Sequence, residues 1–265
     1  NYGIEQAQFP WIITLDADSV MSKHWLSSIE QSLINTSAEF MTGPVFLRPK
    51  KGVLFQLQAS EFMSIQALTQ ASFTVRPLLS NGTNLVYSKN IFKAVSGFSG
   101  NLNISSGDDM FLMRKILNQK TSVMAYNPEL AGAVFTKTND NWQAHAAQQI
   151  RWMSKTSALK DPALWAVAST VFCTNASLVF WEVTSLIMST IQHTNVNEFV
   201  RCAAFLFVGK FILDHTSLWL SYAKLNHCKS WSLSKISWFH QLLAALIYSF
   251  WALGLAVISY FYRPS

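Results

Sequence analysis

Phe9-Pro10-Trp11-Ile12-Ile13-Thr14-Leu15-Asp16-Ala17-Asp18 is a short apolar, β-rich run that stops abruptly at a pair of carboxylates. A run of that kind is expected for a buried strand delivering polar side chains to the edge of a sheet. Outward from it, helix-like and strand-like stretches alternate. Residues 23–33 read as helix. A second strand is predicted over 40–47, marked by Gly43-Pro44 and by the turn Arg48-Pro49-Lys50-Lys51-Gly52, and 55–69 carry apolar residues at helical spacing. Asn81-Gly82-Thr83-Asn84 signals a turn into Leu85-Val86-Tyr87, followed by a short helix over 90–95. After Ser105-Ser106-Gly107-Asp108-Asp109, the residues Met110, Phe111, Met113, Ile116 and Leu117 trace an amphipathic helix. Residues 123–126 and 131–135 are further strands. This alternation predicts an α/β domain over residues 1–140.

The second half of the chain is written for a different solvent. Half of all residues are apolar and only 13% are charged, an unusual balance for a soluble protein. A polar, aromatic-bearing helix over 141–162 is expected at an interface. Three apolar segments follow, at about 163–190, 199–222 and 236–262, each long enough to cross ~30 Å of hydrocarbon with ~20 helical residues. The third contains no Asp, Glu, Lys or Arg. Lys224, Lys229 and Lys235 lie in the connection 223–235, whereas 193–198 has no Lys or Arg. That asymmetry predicts a multi-pass integral membrane protein with its α/β domain in the cytosol. Trp165, Trp219, Tyr222, Trp238 and Tyr262 fall near the span ends, where amphipathic rings favour the headgroup level.

The net charge of +6 points to membrane lipids rather than nucleic acid, because the basic residues scatter and then gather beside the apolar spans. Cys173, Cys202 and Cys228 are odd in number and lack metal-ligand spacing, and are expected to be unpaired and structural. Lys210 and Asp214 stand four apart inside the second span. They either mark a transport path or neutralise each other on one helix face, and the cost of an unpaired intramembrane charge favours the second. With no initiator Met and no signal-type core before the first strand, the chain reads as a fragment of a longer protein.

Three constellations carry chemistry. Asp16 and Asp18 project on one side if the chain stays extended beyond the strand. Hard oxygens so spaced suit Mg²⁺ or Mn²⁺ bridging a diphosphate, at the position where open α/β sheets bind nucleotides; the alternative is a solvated turn. Asp108 and Asp109 open a helix, so capping competes with a role for Asp109 as general base assisted by Asp108. Gln148, Arg151 and Trp152 share a helix face at i, i+3 and i+4 and suit a diphosphate and a sugar ring. Their alternative is an interfacial helix with a snorkelling Arg and a belt Trp.

The order Asp16-Ala17-Asp18, Gly107-Asp108-Asp109, Gln148-x-x-Arg151-Trp152 and then membrane spans resembles the inverting family-2 glycosyltransferases, the group of cellulose, chitin and hyaluronan synthases and ceramide glucosyltransferase. The resemblance covers nearly the whole chain. It implies a Rossmann-like GT-A domain, here its C-terminal portion, ahead of the interfacial helix and three transmembrane helices. It implies that Asp16 and Asp18 contact nucleotide and Mg²⁺ or Mn²⁺, that Asp109 is the catalytic base, and that Gln148, Arg151 and Trp152 lie near acceptor and diphosphate. Asn81, Gly82 and Asn84 match the Gly-x-Asn loop that precedes a Tyr-Arg/Lys pair, here Tyr87 with Lys89. The donor is then a UDP- or GDP-sugar, the acceptor a lipid or polysaccharide, and the expected location a bacterial cytoplasmic membrane.

Two features depart from the family pattern. Asp108 stands where Glu is commoner, and the nucleoside-binding strand and helix of the family find no counterpart after Asn1, so the 265 residues alone are expected to transfer no sugar. The rival classes are a metal-dependent phosphoryl or nucleotidyl transferase, which leaves Gln148, Arg151 and Trp152 without a role, and a non-catalytic polytopic scaffold or transporter centred on Lys210 and Asp214.

Overall fold

The computed structural model describes residues 2–100, 107–119, 122–159, 161–191, 197–225 and 238–261. The architecture is mixed α/β, and the chain divides into two compact units: Asn1–Arg48 with Glu61–Thr138, and Pro49–Ser60 with Asn139–Ser265.

In the first unit, a short helix α1 (Tyr2–Gln6) precedes β1 (Trp11–Thr14). β1 pairs antiparallel with β5 (Leu85–Ser88), β5 antiparallel with β3 (Phe40–Thr42), and β3 parallel with β6 (Met124–Tyr126). A second sheet sets β7 (Val134–Thr136) between β2 (Val20–Met21), antiparallel, and β4 (Val45–Leu47), parallel. Helix α2 (Trp25–Thr36) lays Trp25 and Ile29 against Met41, Val86 and Val134, with Ile13, Leu15, Leu33 and Ala125 packed around them. Each such large apolar side chain contributes about 1.5–3 kcal/mol when fully buried. β5 is buried along its whole length, which accounts for its unbroken apolar reading. Helices α4 (Lys89–Ala94) and α5 (Asp108–Leu117), with residues 61–72 of α3 (Val53–Ser72), complete the unit.

The single strand predicted over 40–47 is two strands in two sheets, interrupted at Gly43-Pro44. Proline has no N–H to continue a ladder. Its carbonyl instead accepts from Val134 N (3.0 Å) and from Asn84 Nδ2 (3.0 Å), while Gly43 N donates to Asn84 O (3.1 Å). A Cβ at Gly43 would stand 2.7 Å from Asn84 Nδ2, so close approach requires glycine here.

The second unit holds α6 (Trp142–Ala158), α7 (Pro162–Ile191), α8 (Asn197–Leu225) and α9 (Trp238–Phe261), together with residues 53–60 of α3. Asp161 caps α7, its Oδ1 accepting from Ala163 N (2.9 Å) and Leu164 N (3.2 Å), with Pro162 at the first helical position. Trp142 and His145 of α6 pack on the Trp251 ring of α9 at 5.2 and 5.6 Å.

The helices carry many large apolar residues on their outer faces. Asn175, Ser185, Gln241, Ser249, Ala203, Ala244 and Ala245 are buried beside Leu164, Leu178 and Leu255, whereas Phe172, Phe180, Leu186, Phe205, Phe250, Val257 and Phe261 face outward. Outward hydroxyls are satisfied within their own helix: Thr170 donates to Ala166 O, Thr174 to Thr170 O and Ser177 to Cys173 O. Small and polar residues at helix contacts, with internally bonded polar groups outside, suit hydrocarbon surroundings.

Two helices are long and apolar enough to cross a membrane, over Pro162–Met188 and Trp238–Ser259. α8 was predicted as a third. Among the described residues it does not meet the same standard, because Glu198, Arg201, Lys210 and Asp214 interrupt its apolar run. Lys210 and Asp214 form the ion pair that their spacing anticipates, and the Lys210 ammonium sits 4.7 Å over the Tyr248 ring of α9. Cys173 and Cys202 are free. Ser105, Ser106, Lys160, the 192–196 and 226–237 connections with Cys228, Lys229 and Lys235, and Tyr262 lie outside the described residues.

Candidate active site

β1 runs into a turn rather than continuing extended: Ser19 N donates to Asp16 O at 3.0 Å. Asp16 and Asp18 therefore occupy turn positions i and i+2, with both residues exposed, a setting that favours Asp at its first place. The strand geometry expected for the pair is thus replaced by turn geometry. Arg48 holds the turn, its Nη2 donating to the main-chain oxygen of Asp18 at 2.7 Å.

Asn81 caps a 3-10 turn over Gly82–Asn84, its Oδ1 accepting from Thr83 N at 3.0 Å. Three bonds then converge on this turn. Thr14 Oγ1 donates to Gly82 O (2.5 Å), Thr83 Oγ1 donates to Asp16 Oδ2 (2.5 Å), and Gly82 N donates to Asp109 Oδ2 (3.0 Å). The first acidic motif is thereby clipped to Thr83 and the second to Gly82, adjacent residues of one turn. Hydrogen bonds to a carboxylate are short and about twice as strong as neutral ones.

Gly107, at φ 101°, supplies the left-handed residue from which α5 starts, with no side-chain cap. Asp108 and Asp109 are not caps; they stand in the helix's first turn, where its dipole favours negative charge. Asp108 is exposed and Asp109 partly buried. Burial, and secondarily the Asp108 carboxylate, push the Tyr87 phenol up to about 12. Burial likewise raises Tyr126.

Asn84 is buried and fully engaged by protein. Its Oδ1 accepts from Trp25 Nε1 (3.2 Å), and its Nδ2 donates to Pro44 O (3.0 Å) and Gly132 O (2.9 Å). Its backbone oxygen accepts from Thr42 Oγ1 (3.0 Å) and from Gly43 N (3.1 Å). It ties the turn to both sheets. Lys89 donates to Ala7 O at 2.6 Å, fastening the segment before β1.

Gln148, Arg151 and Trp152 lie on α6 in the second unit, with Arg151 exposed and the other two partly buried. Gln148 Oε1 accepts from Asn139 Nδ2 at 2.7 Å. Among the described residues no group of three or more His, Cys, Asp or Glu is placed to hold a metal ion. Asp16 and Asp18 offer two hard carboxylates, which fits an ion that takes its remaining oxygens from phosphate and water.

Thr14, Thr83 and Arg48 escaped the sequence reading. The available signals were slight: Thr83 lies inside the Asn81–Asn84 turn, and Thr14 stands two residues before Asp16. A family model described as glycosyl transferase family group 2 matches residues 11–264. No curated protein matches the chain.

Proposed function

This chain belongs to glycosyl transferase family group 2, and from that premise we propose that it moves a sugar from a UDP- or GDP-sugar to a lipid or polysaccharide acceptor, with inversion and with the help of Mg²⁺ or Mn²⁺. The acceptor hydroxyl attacks the anomeric carbon as Asp109 takes its proton, and the bond from that carbon to the diphosphate oxygen breaks. The Gly82 N–H on Oδ2 fixes the plane of the Asp109 carboxylate before substrate arrives. Asp16 and Asp18 would hold the metal ion, which neutralises charge on the departing diphosphate. Arg151 and Gln148 donate to the same group, where hydrogen bonds strengthen as negative charge builds. Trp152 offers its ring face to sugar or acceptor, and Asp108 contributes to the field around the base.

Asn81, Gly82 and Asn84 act by shaping the turn, since the Asn84 amide is taken up by Trp25, Pro44 and Gly132. Residues 1–140 form the catalytic domain, α6 lies at the bilayer surface, and α7, α8 and α9 cross the membrane with the catalytic domain on the cytosolic side. In α8 the Lys210–Asp214 pair offsets the two charges. That pairing supports a neutralising role over a transport path.

The observation that carries this reading is the convergence of Asp16 and Asp109 on neighbouring residues of a single turn. A phosphoryl or nucleotidyl transferase would use the clustered acids but gives Gln148, Arg151 and Trp152 no part. The test is to incubate membranes holding the full-length protein with a panel of UDP- and GDP-sugars plus Mg²⁺ or Mn²⁺, and to record which nucleoside diphosphate is released. Asp109→Asn is expected to lower release by about 10²–10⁴-fold while donor binding is retained. Release from no donor, or unchanged release by Asp109→Asn, overturns the reading.

A further inference from the structure

The second unit contains a chain of three amides whose polarity is set at one end by the backbone. Gln58, on α3, is 4% exposed. Its side chain pairs with the main chain of Asn139 in both directions: Asn139 N donates to Gln58 Oε1 at 2.8 Å, and Gln58 Nε2 donates to Asn139 O at 3.1 Å. A backbone N–H only donates and a backbone carbonyl only accepts, so the two look-alike ends of the Gln58 amide are not interchangeable.

The Asn139 side chain inherits that order. Its Nδ2 faces Gln58 Oε1 at 3.5 Å and donates to Gln148 Oε1 at 2.7 Å. Turning Asn139 over would set its carbonyl oxygen against another oxygen on one side. Gln148 must therefore answer with its own carbonyl oxygen. What it has left is Nε2, with two N–H donors that take no protein partner among the described residues.

We propose that Gln58 and Asn139 are positioning residues for Gln148, holding its amide with the NH₂ end outward to meet an anionic phosphate oxygen of the donor. The proposal rests on the reading of Gln148 as a donor-site residue. A glutamine left to itself takes either orientation, and half of them would aim a carbonyl dipole at the phosphate. Locked through Asn139, it offers only donors, on the helix that carries Arg151 three residues on. Neither Gln58 nor Asn139 touches substrate in this arrangement; each acts through the next amide.

The experiment uses the full-length protein in detergent and measures binding of UDP and of GDP, each with Mg²⁺, by equilibrium dialysis, beside the thermal midpoint. Gln148→Met is expected to weaken the retained nucleotide about tenfold, the worth of one hydrogen bond to a charged group. Asn139→Asp, nearly the same in shape, offers only acceptors and turns the Gln148 carbonyl outward, so it is expected to weaken binding at least as much. In a Gln148→Met background it is expected to have no further effect. A merely structural role would lower affinity by the same factor in both backgrounds, and that result overturns the proposal.

If Asn139→Asp fails to accumulate, Gln58→Met carries the same cycle, with a smaller loss expected in wild type and none in Gln148→Met. Unchanged binding by Gln148→Met also overturns the proposal, while leaving the roles of Asp16, Asp18 and Asp109 standing. Retention of neither nucleotide by the wild-type protein removes the donor-site reading and the proposal together.

Discussion

The two units obey opposite packing rules within one chain. In the first, Phe40, Met41, Val86 and Tyr87 are almost wholly inside, while residues such as Leu26 and Val75 are exposed. In the second, the helices turn Asn175, Ser185, Gln241 and Ser249 inward and a continuous series of Phe, Leu, Ile and Val outward. Water drives the first arrangement, because burying apolar area is favourable only against a polar solvent. A hydrocarbon solvent would permit the second, because there van der Waals packing and internal hydrogen bonds replace that driving force. The same substitution should therefore change sign or size according to the unit that receives it.

The largest effect is expected inside the first unit, at the residue where its two sheets meet. Asn84→Ala removes three side-chain hydrogen bonds and leaves Trp25 Nε1, Pro44 O and Gly132 O buried without that partner. A loss of about 3–5 kcal/mol is expected in denaturant unfolding of the first unit. A loss under 1 kcal/mol would show that water or relaxation replaces the amide, and would blur the contrast with the polar interior of the second unit.

A smaller and more direct test exchanges outward apolar residues. Phe250→Asp, near the middle of α9 and half exposed, is expected to cost about 3 kcal/mol of membrane insertion, read as the inserted fraction in a microsomal assay. Leu26→Asp, at least as exposed and in the first turn of α2, is expected to alter stability by no more than about 0.5 kcal/mol. Equal effects at the two sites would break the comparison.

A last effect, confined to the first unit, lies at high pH. The Tyr87 phenol is neutral in the fold up to about 12, against an ordinary value of 10.0. Between those values the unfolded chain ionises first, so stability is unchanged below about pH 10 and falls as pH rises toward 12. The total is about 2–3 kcal/mol. Tyr87→Phe should flatten that slope relative to wild type, as read from urea midpoints from pH 9 to 12. An identical slope in both proteins would place the alkaline sensitivity elsewhere, Tyr126 included.

The same division explains what the sequence disclosed. Long helices were legible because hydrophobicity integrates over many residues: α7 and α9 differ from the expected spans by one or two residues at each end. The run over 40–47 misled because a strand buried on both faces has no alternation, and only Pro44 hinted that it passes between sheets. β2, two residues long, has no period at all. The acidic motifs were legible because clustered carboxylates are uncommon in so apolar a chain. The partners of Asp16 and Gln148 were not, since a threonine such as Thr83 or an amide such as Asn139 is a common residue, and its partner is set by the fold rather than by spacing.

The peptide N–H of Gly82 donates to Asp109 Oδ2. A methyl group added at position 82 would lie 3.6 Å from the Asp109 Cβ, an ordinary contact. Most inherited changes at that codon would therefore leave the donor in place, since every amino acid but proline carries it. That bond belongs to the polymer backbone and is largely shielded from point mutation, so side chains around the turn can drift without removing it.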